Sequence, residues 1–149
     1  MKVYVASSLE LKNHNLINYV CNRFKAAGVS ITHEWLSHGL VTDQATLKDC
    51  CEKEINGVKD SDIVFMLFPA RNGTHVELGI AIAQDKPVVL VTDPKICQVG
   101  EEKPFYYADN ITRVYDLEEG IKTCITMLQD QYAILKECLS QNQQSYDPT

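Results

Sequence analysis

The chain has 149 residues, 45% hydrophobic and 23% charged, with 14 Lys+Arg against 20 Asp+Glu and a formal net charge of −6. That length suits one domain, which buries roughly 70% of the surface its unfolded chain exposes and needs no disulfide or metal staple. The acidic balance and a pI near 5.1 argue against a nucleic-acid polymer or a membrane surface as partner, and the longest apolar run, Ile63 to Phe68, is too short to span a bilayer.

Met1-Lys2 leads directly into a strand-like run, Lys2 to Ala6, which leaves no room for a signal peptide and predicts a soluble, cytoplasmic protein. Leu16, Ile17, Val20, Cys21 and Phe24 then mark one helical face, stopped by Gly28. Val29 to Trp35 alternates as a second strand, followed by a polar loop through Asp43. Leu47, Cys50, Cys51, Ile55 and Val58 form the next helical stripe. Asp62 to Phe68 is continuously apolar, as expected of a parallel strand covered on both faces. Thr74 to Gln84 reads as a helix that is apolar almost all round. Pro87 to Thr92 and Ile111 to Tyr115 read as the fourth and fifth strands. Leu117, Ile121, Cys124, Ile125, Leu128 and Leu135 define a closing amphipathic helix. Residues 1–139 form the single domain in this reading, and 140–149 a frayed tail.

The six cysteines show no CxxC pair and no zinc-type spacing. Cys21, Cys50, Cys51 and Cys124 fall on apolar stripes, where a thiol serves as a small hydrophobe, so a reducing compartment is expected. No metal and no redox cofactor is implied.

Alternating strands and helices predict a flavodoxin- or Rossmann-like doubly wound α/β fold, with a five-stranded parallel sheet of order 2-1-3-4-5. In that order the crevice opens at the carboxyl ends of strands one and three. Those ends carry Ser7-Ser8 and Pro69-Ala70-Arg71-Asn72-Gly73.

Two carboxylates are out of place. Glu77 has Val76, Leu78, Ile80, Ala81 and Ile82 around it, so no polar face is open to it. Thr74-His75-Val76-Glu77 spells a capping box, in which the glutamate reaches back to the helix's first amide; the other reading is a group that performs chemistry. In either role the helix dipole is expected to keep Glu77 ionised, which suits a nucleophile. Glu54 falls mid-arc among Leu47, Cys50, Cys51 and Val58. It either escapes to the rim, or pairs with Lys86 or Arg71, or works as an acid. Two acids beside one crevice suit glycosidic bond cleavage, with one attacking the sugar and one serving the leaving group. Paired carboxylates equally suit Mg²⁺.

The stretch Ser61-Asp-Ile-Val-Phe-Met-Leu-Phe-Pro-Ala-Arg-Asn-Gly-Thr-His-Val-Glu-Leu-Gly-Ile-Ala-Ile-Ala-Gln-Asp-Lys-Pro-Val resembles the core of nucleoside 2-deoxyribosyltransferases, a family that includes nucleotide N-glycoside hydrolases. Lys2-Val-Tyr-Val-Ala-Ser-Ser is similar to its first strand, and Glu54-Ile-Asn-Gly-Val-Lys-Asp-Ser-Asp to its base-facing segment. The resemblance runs to about Asp93. It implies that Glu77 is the nucleophile, that Tyr4 orients it, and that Glu54 takes the role of the residue facing the base. It further implies a double displacement: the base leaves a glycosyl-enzyme, and a second base or water takes the sugar. No cofactor is implied, and the partners are a small nucleoside or nucleotide and further copies of the chain in a homodimer or higher homo-oligomer.

The family's sugar-binding aspartate, six residues before the nucleophile, is replaced here by Arg71. A guanidinium there suits a 5′-phosphate, assisted by Thr74 and the amides near Gly73, and shifts the expectation towards a monophosphate and hydrolysis. A solvated loop charge is the plainer reading. Ser7 and Ser8 offer hydroxyls or amides to the sugar, or simply make a helix-start turn. His75 is either a phosphate or base contact or an exposed helix-start residue, and Trp35 either walls the base pocket or fills core. Phe105, Tyr106 and Tyr107 stack on a base, meet a second subunit or pack the core. Two other functions fit the scaffold: a non-catalytic nucleotide-sensing module, motivated by the missing aspartate, and a TIR-like NAD glycohydrolase, whose motifs are not evident.

Overall fold

β1 (Lys2–Ala6) leads to α1 (His14–Ala26), β2 (Ser30–Ile31), α2 (Gln44–Asp60), β3 (Ile63–Leu67), α3 (Asn72–Ala83), β4 (Val88–Val91), β5 (Ile111–Val114) and α4 (Leu117–Gln144). Short 3₁₀ turns occupy Trp35–His38 and Pro104–Tyr107. This is a computed structural model that describes all residues except 9, 11–12, 40, 94–103 and 145–149. The strands form one sheet in the order β2-β1-β3-β4-β5, every pair parallel, as the alternation of elements predicts. α1 contacts α4 and α2 contacts α3, so helices cover the sheet from both sides. All five residues of β3 are buried, which explains its uninterrupted apolar run. Phe24 of α1 meets Phe65 of β3 edge-to-face at 5.1 Å. Gly28 ends α1 at φ 74°, the left-handed position expected of it. Among the described residues no helix is long and apolar enough to cross a membrane.

The second strand is much shorter than the alternation over Val29 to Trp35 suggests. It pairs with β1 only at Lys2↔Ser30 and Val3↔Ile31, and the Thr32 amide extends this by one bond to the Val3 carbonyl. The next carbonyl on that edge, of Val5, accepts from the Trp35 indole Nε1 at 2.8 Å instead. A side chain replaces the strand, the chain turns into 3₁₀ geometry, and Trp35 becomes buried at the mouth of the crevice.

Two apolar stripes are also only half used. On α2, Cys50, Gly57 and Val58 are buried, whereas Leu47 is 54% exposed and Cys51 is exposed as well, so the first turns overhang the sheet. On α4, Ile121, Cys124 and Leu128 are buried but Leu135 is exposed. α4 continues through Gln144, inside the stretch assigned to a frayed tail.

One close approach positions the site. A Cβ added at Gly57 would lie 2.8 Å from the His33 Cβ and 2.9 Å from the Tyr4 ring, so α2 crosses β1 only because residue 57 has no side chain. Gly57→Ala is expected to destabilise the protein by about 1–3 kcal/mol through overpacking, while Asn56→Ala on the neighbouring exposed position stays within about 0.5 kcal/mol. Urea denaturation of the two variants checks this.

Candidate active site

The crevice lies at the carboxyl ends of β1 and β3, where the strand order reverses. It is a hollow of about 570 Å³ lined by Ser7, Ser8, Trp35, Glu54, Ala70, Arg71, Asn72, Gly73, Thr74 and Glu77. Three segments build it: the end of β1 supplies the serines, α2 brings Glu54, and the turn from β3 into α3 supplies the rest. Seven of the nine residues singled out from sequence, Glu77, Glu54, Ser7, Ser8, Arg71, Gly73 and Thr74, therefore share one wall. Tyr4 is fully buried and reaches the site only through Glu77.

α3 begins at Asn72 with Arg71 as its cap, two residues earlier than the Thr74 start the capping-box reading requires. The Thr74 hydroxyl accepts from the Arg71 amide at 3.5 Å, and Glu77 lies too far along the helix to cap it. The Glu77 side chain turns inward instead. Its Oε1 accepts from the Tyr4 hydroxyl at 2.5 Å, while among the described residues Oε2 has no hydrogen-bond partner. The capping role assigned to Glu77 is thus withdrawn.

Its charge state is corrected as well. Glu77 is only 9% exposed, and burial, opposed by the Tyr4 hydrogen bond and reinforced by the nearby Glu54 charge, pushes its carboxyl up from 4.5 to about 8. The helix dipole does not keep it ionised at neutral pH, because desolvation of a buried carboxylate outweighs a helix-end field. The same burial and the two carboxylates push the Tyr4 hydroxyl far above its ordinary value, so it remains a donor at every accessible pH.

Arg71 stands at the rim, 70% exposed, with Nη2 paired to the Glu10 carboxylate at 2.6 Å. Lys86, the other candidate partner for Glu54, donates to the carbonyls of Lys59 and Ser61. The Ser8 hydroxyl accepts from Asn13 Nδ2 at 2.7 Å, and both residues are buried. Asn13 and Glu10 were not legible as site residues: each acts on a neighbour only after the loop following β1 folds back.

His75 does not line the hollow. Its Nδ1 donates to the Arg71 carbonyl at 2.8 Å, which leaves Nε2 to accept from the Tyr106 hydroxyl at 2.6 Å. It ties the loop before α3 to the turn at Pro104–Tyr107. Tyr106 is buried against Phe68, whereas Phe105 and Tyr107 are exposed, and none of the three lines the hollow. Part of the segment after β4 singled out from sequence, 100–103, lies outside the described residues. Among the described residues no group of three His, Cys, Asp or Glu could hold a metal.

The family model for nucleoside 2-deoxyribosyltransferase matches residues 3–111. The structure is similar to a CMP N-glycosidase from Clostridium botulinum, with a TM-score of 0.59 and 16% identity, covering 87% of this chain and 98% of that one. It is similar to a 2-deoxyribosyltransferase from Bacillus psychrosaccharolyticus, with a TM-score of 0.62 and 18% identity over 80% and 89% of the two chains. A conserved protein from Enterococcus faecalis V583 has a TM-score of 0.54 and 15% identity over 85% and 98%. At these identities the likeness concerns the fold alone. No curated protein matches the sequence.

Burial of Glu77 has a stability consequence. Folded Glu77 holds its proton up to about pH 8, whereas the unfolded group releases it near 4.5. Its contribution is therefore complete below pH 4.5 and is lost as pH rises to about 8. Glu77→Gln keeps an acceptor for Tyr4 and removes this penalty. The variant is expected to match the wild type near pH 4.5 and to exceed it by on the order of 3 kcal/mol at pH 7. Denaturant midpoints across that pH range check the trend.

Proposed function

The chain belongs to the nucleoside 2-deoxyribosyltransferase family, and on that premise we propose that it cleaves the N-glycosidic bond of a (deoxy)nucleoside or nucleoside 5′-monophosphate with Glu77 as nucleophile. One observation carries this reading: a buried carboxyl in the wall of the crevice, held at one oxygen by Tyr4, with the second oxygen uncommitted among the described residues.

The chemistry follows from that arrangement. Ionised Glu77 attacks the anomeric carbon, the bond from that carbon to the base nitrogen breaks, and its electron pair leaves with the base. A proton on the departing nitrogen makes it a better leaving group, and Glu54, lining the same hollow, is the group assigned to deliver it. A second base or water then attacks the glycosyl ester, regenerating Glu77 with retained configuration. Tyr4 orients one carboxylate oxygen and lowers the energy of the charged form against its burial. The Ser8 hydroxyl, held by Asn13, is left to donate to the sugar.

A 5′-phosphate fits the rim. The first turn of α3 carries no acidic residue, its amides face the hollow's mouth at Gly73 and Thr74, and Arg71 supplies a cation there. Glu10 now neutralises that cation, so a phosphate would take over an anion's place already formed. These features favour a monophosphate over a free nucleoside.

Glu77→Ala is expected to lower release of free base by at least about 10⁴-fold with an unchanged circular dichroism spectrum. Chromatography of a panel of deoxynucleosides and their 5′-monophosphates, each with and without an acceptor base, reads this loss. It also separates hydrolysis from transfer. Unchanged turnover in Glu77→Ala overturns the mechanism. The wild-type kcat/KM should rise with pH to a plateau above about 8, following ionisation of Glu77. Tyr4→Phe removes the bond that favours the ionised form, so the rising limb moves to higher pH and the rate at pH 7 drops by roughly 10- to 100-fold. A limb that stays in place in Tyr4→Phe contradicts the assigned role.

A further inference from the structure

α4 outruns the body on which it packs. Its 28 residues measure ~42 Å at 1.5 Å per residue, and the half beyond Leu128 accounts for about 24 Å of that. Ile121 and Leu128 are buried against the sheet, whereas every residue from Tyr132 to Gln141 is exposed.

The exposed half is not polar. Ile121, Ile125, Leu128, Tyr132, Leu135 and Leu139 follow one alternating four-and-three spacing, so a single apolar seam runs the length of the helix. The sheet covers its first three members fully or in part. Tyr132, Leu135 and Leu139 continue the same stripe past the sheet's edge, at 48%, 58% and 65% exposure. A solvated helical segment of this length is marginal in water without something along its apolar face.

We infer that the free half of α4 pairs antiparallel with the free half of a second copy of this chain, through Tyr132, Leu135 and Leu139. Direction follows from the continuity of the seam. Over its first half the seam is occupied by the chain's own sheet, so a parallel partner would bring its sheet into the same space. An antiparallel partner meets only the uncovered half, which is equal in length to its own.

The flanks agree with self-pairing. Gln129, Gln131, Lys136 and Cys138 border the seam and carry one charge between them. Antiparallel pairing sets Gln129 across from Lys136 and Gln131 across from Cys138, with no like charges opposed. A different partner chosen by charge would be expected to find more than one charge to read. Two strips 24 Å long bury on the order of 500 Å² per chain, at the small, reversible end of specific interfaces. This surface is independent of the catalytic reading.

Sedimentation of the full chain over roughly 1–200 µM tests the pairing. The expected result is a concentration-dependent dimer whose Kd rises by at least about 100-fold in the Leu135→Glu/Leu139→Glu variant. Both substitutions fall on exposed positions, so far-UV circular dichroism and thermal unfolding should show the same folded domain. Small-angle scattering of the wild-type dimer should show two bodies set apart along a shared helical pair. A monomer throughout the range, an equally tight dimer in the variant, or bodies lying side by side would each overturn the proposal.

Discussion

A single hydrogen bond, from Tyr4 of the central strand β1 to Glu77 of α3, is the constraint around which the crevice is organised. Placing a carboxyl among the apolar residues of α3 is costly when it is charged. The compensating group here is a neutral phenol rather than a cation. An arginine or lysine would hold the carboxylate ionised and occupy both its oxygens. A tyrosine offers one donor, and its own ionisation is pushed out of reach by burial and by two neighbouring acids. The consequence is a carboxyl raised to about 8 and therefore poised between its two states near neutrality.

Charge is distributed by depth. The two acids, Glu77 and Glu54, lie together in the wall of the hollow, and each step of substrate chemistry assigned to them takes place away from bulk water. The positive elements, Arg71 and the start of α3, lie at the rim. A substrate with an anionic end and a neutral glycosidic bond would match that gradient from mouth to floor. The Glu10 carboxylate already pairs with Arg71, which keeps the rim from carrying an unneutralised cation. His75 and Tyr106 brace the loop from the other side, through the Arg71 carbonyl, so the rim has a fixed backbone beneath a mobile pairing of side chains.

Much of the architecture was legible from periodicity because a parallel sheet covered on both faces leaves strong traces. β3 is buried at every residue and its sequence is apolar at every residue. The order of strands followed from that alternation, and the order in turn located the crevice. What periodicity missed were substitutions of one kind of bond for another. The alternation in Val29 to Trp35 looks like a strand, but the indole of Trp35 takes the carbonyl that a further residue of β2 would have paired. Thr74 to Glu77 spells a helix cap, but the helix had already begun at Asn72, so the glutamate was free to turn inward. Glu10 and Asn13 gave no local signal at all, because their effects on Arg71 and Ser8 depend on the tertiary path of the loop after β1. The stripes of α2 and α4 predict which face is apolar, not how far the sheet extends beneath it.

The central claim is that Glu77 forms a covalent bond to the sugar, and mass spectrometry of the quenched reaction addresses it most directly. A nucleotide with fluorine at C2 of the sugar slows the second displacement by withdrawing electrons from the developing oxocarbenium ion. Digestion after acid quench should place one glycosyl group on the peptide containing Glu77, and none on that peptide from Glu77→Gln. Stoichiometric release of base with the Glu77 peptide unmodified, or a glycosyl group on another residue, would contradict the account.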